Sequence, residues 1–342
     1  MDKKIKYYTQ EELKQLIIKK LMLAKVNEKQ AQEVANHLVY ADARGIHSHG
    51  SNRVKSYILR IKRGFCNLNP NIKYVSTATS TGYVDGDNSL GVPVAKLAME
   101  KAIEIAKNHG VAIIGAKDLN HSGTMAYYLE MAAKENLVAL AVATAPPQVA
   151  PYGGSQAYFG TNPLGFVAPV KDSRPIIVDM ATSVKAFGYV MEARNKGEEI
   201  PLGWAIDDQG NPTTDPNKAA LMLPFAEAKG YSIMLMINIL AGIMLNIPAG
   251  DNIPSTFNNP DSKLTIGQLF IVINPANFMP IDKFLDDMKQ MSEEIKSNKP
   301  ANGFEKVMLP GEIADNTYQE YLKTGIPISK VVADYLEDET KL

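Results

Sequence analysis

VAIIGAKDLNHSG, Val111 to Gly123, runs an unbroken apolar segment straight into a polar loop with a histidine, and a helical pattern follows from Thr124. An apolar run of this length suits a buried strand. The same order recurs on either side. A helix from Val92 to His109, stopped by Gly110, precedes the segment, and LVALAVAT (137–144), another buried strand, follows a helix over 124–136. Further out, YVSTAT (74–79) and GYVDGD (82–87) read as short strands, as do IIVDMATS (176–183) and LFIVINP (269–275). Strands alternating with helices at this spacing predict an α/β core, with ligand groups in loops past the strand ends. His121 stands in such a loop. No strand is followed by G-x-G-x-x-G and no G-x-x-x-x-G-K-[ST] occurs. A dinucleotide, if bound, would not use the usual glycine fingerprint.

The flanks differ from this core. Thr9 with Glu12 forms a capping-box signature, and Leu13, Leu16, Ile17 and Leu21 recur at helical spacing. A second helix follows from Asn27, and Val54, Tyr57, Ile58 and Ile61 mark a third, ended by Gly64. Residues 1–72 are therefore read as a helical unit carrying the HSHG bend and joined by C-terminal helices, 73–280 as a mixed-sheet α/β unit, and 281–342 as a C-terminal helical segment containing the LPGE turn (309–312). PPQVAPYGGSQAYFGTNPLGFVAPV (146–170) reads as a long irregular stretch whose aromatic content argues for order. YSIMLMINILAGIMLNIP (231–248) approaches a membrane thickness, but Asn238, Gly242, Asn246 and Pro248 interrupt it, and it reads as a buried helix in a packing or subunit-contact role.

Composition narrows the function classes. Lys and Arg number 36 against 37 Asp and Glu, a net charge of −1, so no basic field marks a nucleic-acid or anionic-membrane partner. The partners expected are small molecules and further copies of the chain. The one cysteine, Cys66, excludes an internal disulfide and fits a reducing compartment; without an adjacent base it reads as a packing residue rather than a nucleophile. MDKKIKYYTQEEL at the N-terminus is charged and has no apolar signal core, which points to the cytoplasm.

Chemistry concentrates in YADARGIHSHGSNR (40–53), which holds two of the five histidines, two arginines and a glycine-bounded bend. With a helix starting near Ser51, His49 and Arg53 share its first turn. A guanidinium can hold a carboxylate through its donor fork while an imidazole exchanges the proton of a neighbouring hydroxyl, a pairing suited to a 2-hydroxy acid. The competing structural reading makes His47 and His49 the polar surface of a hinge and Arg53 a solvated charge. His121 is equally open to a role as a base or beside a helix cap. H-x-H spacing at His47 and His49 also suits a metal-dependent hydrolase, with Asp118 or Asp179 completing the ligands, but no second ligand motif supports it and no metal is assigned. The glycines of YGG and GTNPLG would allow backbone to approach a phosphate or nicotinamide, which singles out Gly160, Thr161 and Asn162; ordinary glycine turns would explain them as well.

ADARGIHSHGSNRV, NHSG, GTNPLGFVAP, DMATS, the tract 193–216, AKGY, VINP and LPGE occur in the order seen in the malate/L-lactate dehydrogenase-like oxidoreductases, and the chain resembles that family over nearly its full length. The resemblance implies a non-Rossmann dehydrogenase that binds NAD, ahead of NADP, with an active site completed in a homodimer. It implies His121 as proton acceptor, with Ser48 and His49 assisting at the substrate; the family leaves open which histidine takes the proton. Arg53 resembles the carboxylate anchor, with Tyr57 beside the substrate. Asp179, Met180 and Ala181, Lys229 and Gly230, and Gly311, Glu312 and Ile313 resemble cofactor contacts. Within the family the motifs are most similar to the branch oxidising (S)-ureidoglycolate to oxalurate, with malate, L-lactate or sulfolactate as alternative substrates. One departure stands out: Ala145 and Pro146 occupy positions where that branch has a polar pair.

Overall fold

Alternating side chains in the central strands settle how the chain layers itself. The computed structural model describes residues 5–248, 250 and 263–342. Met1 to Lys4 of the charged N-terminal tract and residues 251–262 of the α/β unit lie outside the described residues. Seven strands form one sheet: β2 (Lys73–Ala78), β3 (Thr81–Ser89), β4 (Val111–Leu119), β5 (Val138–Ala143), β6 (Leu164–Ala168), β7 (Ile176–Met180) and β11 (Ile266–Ile273). Their spatial order is β2-β3-β4-β11-β5-β6-β7. β3 and β4 run parallel, and the other five junctions are antiparallel. Ala112, Ile114, Ala116, Ala139, Ala141, Phe270 and Val272 point to one face, where α4 (Gly91–His109) and α5 (Ala126–Ala133) bury them. Val142 and Leu269, on the other face, meet Ile237 and Ala241.

That second face corrects one expectation. The apolar tract near 230–247 is α7 (Ala228–Ile237) continued by a wide turn, Asn238–Gly242, and a tight one, Ile243–Leu245. Among the described residues it is the one helix long and apolar enough to cross a membrane, yet only a third of it is buried. One side lies very close to the sheet. A Cβ on Gly267 would sit 1.9 Å from the Ala241 carbonyl oxygen, and one on Gly115 would sit 2.3 Å from the Leu245 side chain. The opposite side leaves Leu235, Met236, Ile239, Ile243 and Met244 exposed. Periodicity records that a segment is apolar all round but not that one chain covers only half of it.

A second core joins the two ends of the chain. β1 (Ile5–Tyr8) pairs antiparallel with β12 (Ile326–Ser329). α1 (Gln10–Leu23), α2 (Glu28–Ala43) and α3 (Val54–Lys62) pack with α10 (Lys330–Glu337) through Leu13, Ile17, Leu38, Ile58, Ala333 and Leu336. The expected capping box is present, with Glu12 N donating to Thr9 Oγ1 at 3.2 Å and Thr9 N donating to Glu12 Oε2 at 2.8 Å. The β1–β12 pair was missed because neither four-residue segment carries a periodic signal of its own. β6 was hidden inside the stretch read as irregular, since glycine and proline on either side mask LGFVA. A third, smaller core forms around Phe159, Val190 and Met222. It encloses α6 (Phe187–Lys196) and the short strands β8 (Ala205–Ile206), β9 (Pro212–Thr213) and β10 (Leu221–Met222). α8 (Ile281–Lys296) and α9 (Glu312–Thr324) complete the C-terminal third.

Candidate active site

The HSHG bend is built by a buried carboxylate. Instead of starting a helix at Ser51, the chain makes two tight turns, His47–His49 and Ser51–Arg53, before α3 begins at Val54. Asp42, fully buried in the last turn of α2, accepts from His47 Nδ1 at 2.8 Å and from Ser51 N at 2.6 Å. His47 therefore turns toward Asp42 and Tyr321, its ring stacked on that of Tyr321 at 6.4 Å, while His49 turns the other way to meet His121. The H-x-H pair does not converge. Among the described residues no three His, Cys, Asp or Glu side chains group to hold a metal ion.

His49 instead faces His121, with ring centroids 5.4 Å apart. Ser48 Oγ lies 3.0 Å from His49 Nδ1, and Tyr57 Oη lies 2.8 Å from His121 Nδ1. Arg53 Nε donates to the Ser48 carbonyl at 2.6 Å, which leaves its Nη edge for a carboxylate. Four residues distant in sequence from His121 thus gather at its loop. Burial, together with the Arg53 charge, holds His121 well below the ordinary imidazole value and lowers His49 to about 3. Both rings keep part of their surface open to the site, but the protein packed around them disfavours the cation. Burial likewise pushes the Tyr57 phenol up, so it stays protonated.

The NHSG loop is fastened at almost every residue. Asn120 accepts from Arg60 Nε at 2.9 Å, and its Nδ2 donates to the Ser89 carbonyl at 3.0 Å. Ser122 Oγ donates to Gln268 Oε1 at 3.0 Å. Gly123, at φ +79°, lies so close to His37 that a Cβ would fall 1.9 Å from the ring. His37 is wholly buried, with a pKa lowered to about 4, so its neutral ring can donate from Nε2 to the Thr124 carbonyl at 3.2 Å. His37 lies within α2. Its contact with a loop 86 residues later has no local signal.

Thr124 also links this loop to the predicted cofactor residues. Its hydroxyl donates to Asp179 Oδ2 at the end of β7, and Ala126 N donates to the same oxygen at 2.9 Å. Desolvation by the protein packed around it raises the Asp179 carboxyl even though its side chain reaches open space, while these donors act to lower it. Asp179 opens onto a recess of about 590 Å³ lined also by Ile177, Leu309, Gly311, Ile313 and Asp315. Ile313 is 68% exposed, whereas the Glu312 side chain turns away, accepting from Leu309 N at 3.0 Å and from Lys296 at 2.8 Å. The recess adjoins the N-terminus of α9, where unpaired amides favour an anion, and it offers apolar walls for ring faces and carboxylates for sugar hydroxyls. Such a lining fits a dinucleotide.

The remaining predicted cofactor positions form an adjoining layer. Thr182 N donates to the Thr161 carbonyl at 2.9 Å, Thr182 Oγ1 to that of Asn162 at 2.8 Å, and Phe225 N to that of Thr182 at 3.0 Å. Gly160 to Asn162, Ala181 and the AKG turn are thereby drawn together. Met180 and Lys229 are exposed. Gly230 is buried against the Phe225 carbonyl, where a Cβ would sit at 1.8 Å. Asn162 is completely enclosed and ties its loop to the Met234 carbonyl at 3.3 Å, so its side chain braces the layer rather than lining open space. Cys66 is buried with its thiol pushed up to about 12, which fits packing and not nucleophilic chemistry.

Neutral imidazoles beside a guanidinium, next to a recess fit for a dinucleotide, are the equipment of a hydroxy-acid dehydrogenase. The chain belongs to the malate/L-lactate dehydrogenase family, whose pattern it matches over residues 8–337. It is 39% identical over 328 residues to ureidoglycolate dehydrogenase (NAD(+)) of Escherichia coli O157:H7, covering 96% of this chain and 94% of that one. It is 38% identical over 335 residues to malate dehydrogenase of Pyrococcus horikoshii, covering 95% and 92%. The solved structure of sulfolactate dehydrogenase from Methanocaldococcus jannaschii superposes with a TM-score of 0.91 at 37% identity, covering 98% and 96%.

Proposed function

We propose that this protein oxidises (S)-ureidoglycolate to oxalurate with NAD as acceptor, as a cytoplasmic non-Rossmann dehydrogenase. The observation that carries the reading is the meeting of His121, His49, Tyr57 and Arg53 in one place, on a loop that Thr124 ties to Asp179 at the recess. Asp179, Met180, Ala181, Lys229, Gly230, Gly311 and Ile313 would hold the dinucleotide. The bound nicotinamide supplies the hydride acceptor. Arg53 fixes the substrate carboxylate through its Nη edge and so aligns the neighbouring carbinol carbon. Tyr57 Oη accepts from His121 Nδ1, which keeps the proton off Nε2 and lets that nitrogen take the hydroxyl proton. Ser48 and His49 hold the same oxygen as the carbon flattens.

A 2-hydroxy acid bearing a urea nitrogen meets these demands, and relatives carrying the ureidoglycolate dehydrogenase name support that choice. Malate, L-lactate or sulfolactate is the second reading, favoured by the apolar Ala145–Pro146 pair. The test mixes enzyme with NAD and each acid in turn and follows absorbance of the reduced nicotinamide. A faster rise with malate or sulfolactate than with ureidoglycolate moves the assignment to the second reading. We place the protein in a homodimer, supported by the exposed apolar side of α7 and its continuation.

A further inference from the structure

Asp42 belongs to neither the substrate nor the cofactor set, yet it governs how the first of these is presented. Both its oxygens are committed to the bend, one to His47 Nδ1 and the other to Ser51 N. Between those donors Gly50 rests directly on the carboxylate: a Cβ there would lie 2.1 Å from Oδ1, 2.2 Å from Cγ and 2.5 Å from Oδ2. Gly50 has φ −93° and ψ −147°, outside the left-handed region, and it is the carboxylate against its Cα that leaves no room for a side chain. The turns clamped in this way carry Ser48, His49 and Arg53, and the Arg53–Ser48 hydrogen bond closes across them.

We propose that Asp42 is a positioning residue, its buried carboxylate locking residues 47–53 so that His49 and the Arg53 guanidinium converge on the substrate beside His121. Gly50 is the side-chain-free position that admits it. The role of the bend in substrate binding rests on the reading given under Proposed function; the lock itself does not. Asp42→Asn removes one of the two acceptors, Gly50→Ala displaces the carboxylate without altering it, and His47→Asn keeps an amide donor near the place of Nδ1. The first two are expected to raise the KM for the hydroxy acid by about 10-fold or more, given how steeply misplacement of reacting groups costs rate. The KM for NAD should stay within about 2-fold, because that binding energy is untouched, and His47→Asn should keep both constants near wild type.

Amide hydrogen exchange on the same proteins supplies a readout independent of turnover. Loss of protection confined to residues 47–53 in Asp42→Asn and Gly50→Ala, with 115–125 unchanged, is the expected pattern. Unchanged protection and unchanged substrate KM would overturn the lock, and so would parallel rises in both Michaelis constants with protection lost throughout. If none of the acids is oxidised by the wild type, the proposed reaction is lost, while the exchange pattern still decides for or against the lock. Should Gly50→Ala fail to fold, Asp42→Asn and His47→Asn decide it.

Discussion

The 2.8 Å contact between Tyr57 Oη and His121 Nδ1 admits two placements of one proton, and only one leaves Nε2 free to act as a base. His121→Ala is expected to lower kcat by about 100-fold or more while NADH still binds by fluorescence, the usual scale of a general-base loss. Activity near wild type would remove His121 from the reaction. The same residue sets a pH dependence. Because burial and Arg53 depress its pKa, the imidazole stays neutral as pH drops below its ordinary value of 6.5. The oxidation kcat/KM should therefore hold level through pH 6.5 and decline only in more acid solution, since that ratio reports the free enzyme. An acid limb centred at or above 6.5 would contradict it. Arg53→Lys should raise the KM for the hydroxy acid sharply with little change for NAD, because a single ammonium cannot reproduce the planar Nη edge. Arg53, His49 and His121 were legible from residue type and family pattern. Tyr57 was legible only in part, since its expected place beside the substrate gives no hint of its bond to His121.

At the level of elements, the NHSG loop is held by side chains from α2, α3 and β11 and by a backbone carbonyl of β3. Gly123→Ala should cost about 2–4 kcal/mol in denaturant unfolding, combining overpacking against His37 with a left-handed backbone. A loss below about 0.5 kcal/mol would mean that the loop can shift without penalty, as surface changes do. The strands β4, β5, β7 and β11 were readable from their apolar runs, and α4 from its period and its closing Gly110. β6 was not, because the glycine and proline around it dominate any local reading. The two turns of the HSHG bend were unreadable for a different reason: Asp42, which imposes them, acts from the preceding helix.

Over the whole molecule, the row Leu235, Met236, Ile239, Ile243 and Met244 leaves a continuous apolar surface on a single chain. Light scattering should give twice the mass of one chain, and Ile243→Lys combined with Met244→Lys should shift the protein toward monomer with loss of activity. A wild-type monomer of full activity would refute the dimer.

The alternation of strands and helices in the central core, the capping box of α1, the Gly110 stop of α4 and the residue types needed for hydroxy-acid chemistry followed from the sequence alone, because each depends on neighbours within a few turns of chain. The pairing of chain ends through β1 and β12, the half-bare face of the apolar helix and the hydrogen bond between Tyr57 and His121 came only from tertiary structure. Each is decided by packing between segments far apart in the chain, where hydrophobic period and local hydrogen-bonding preference carry no information about the partner.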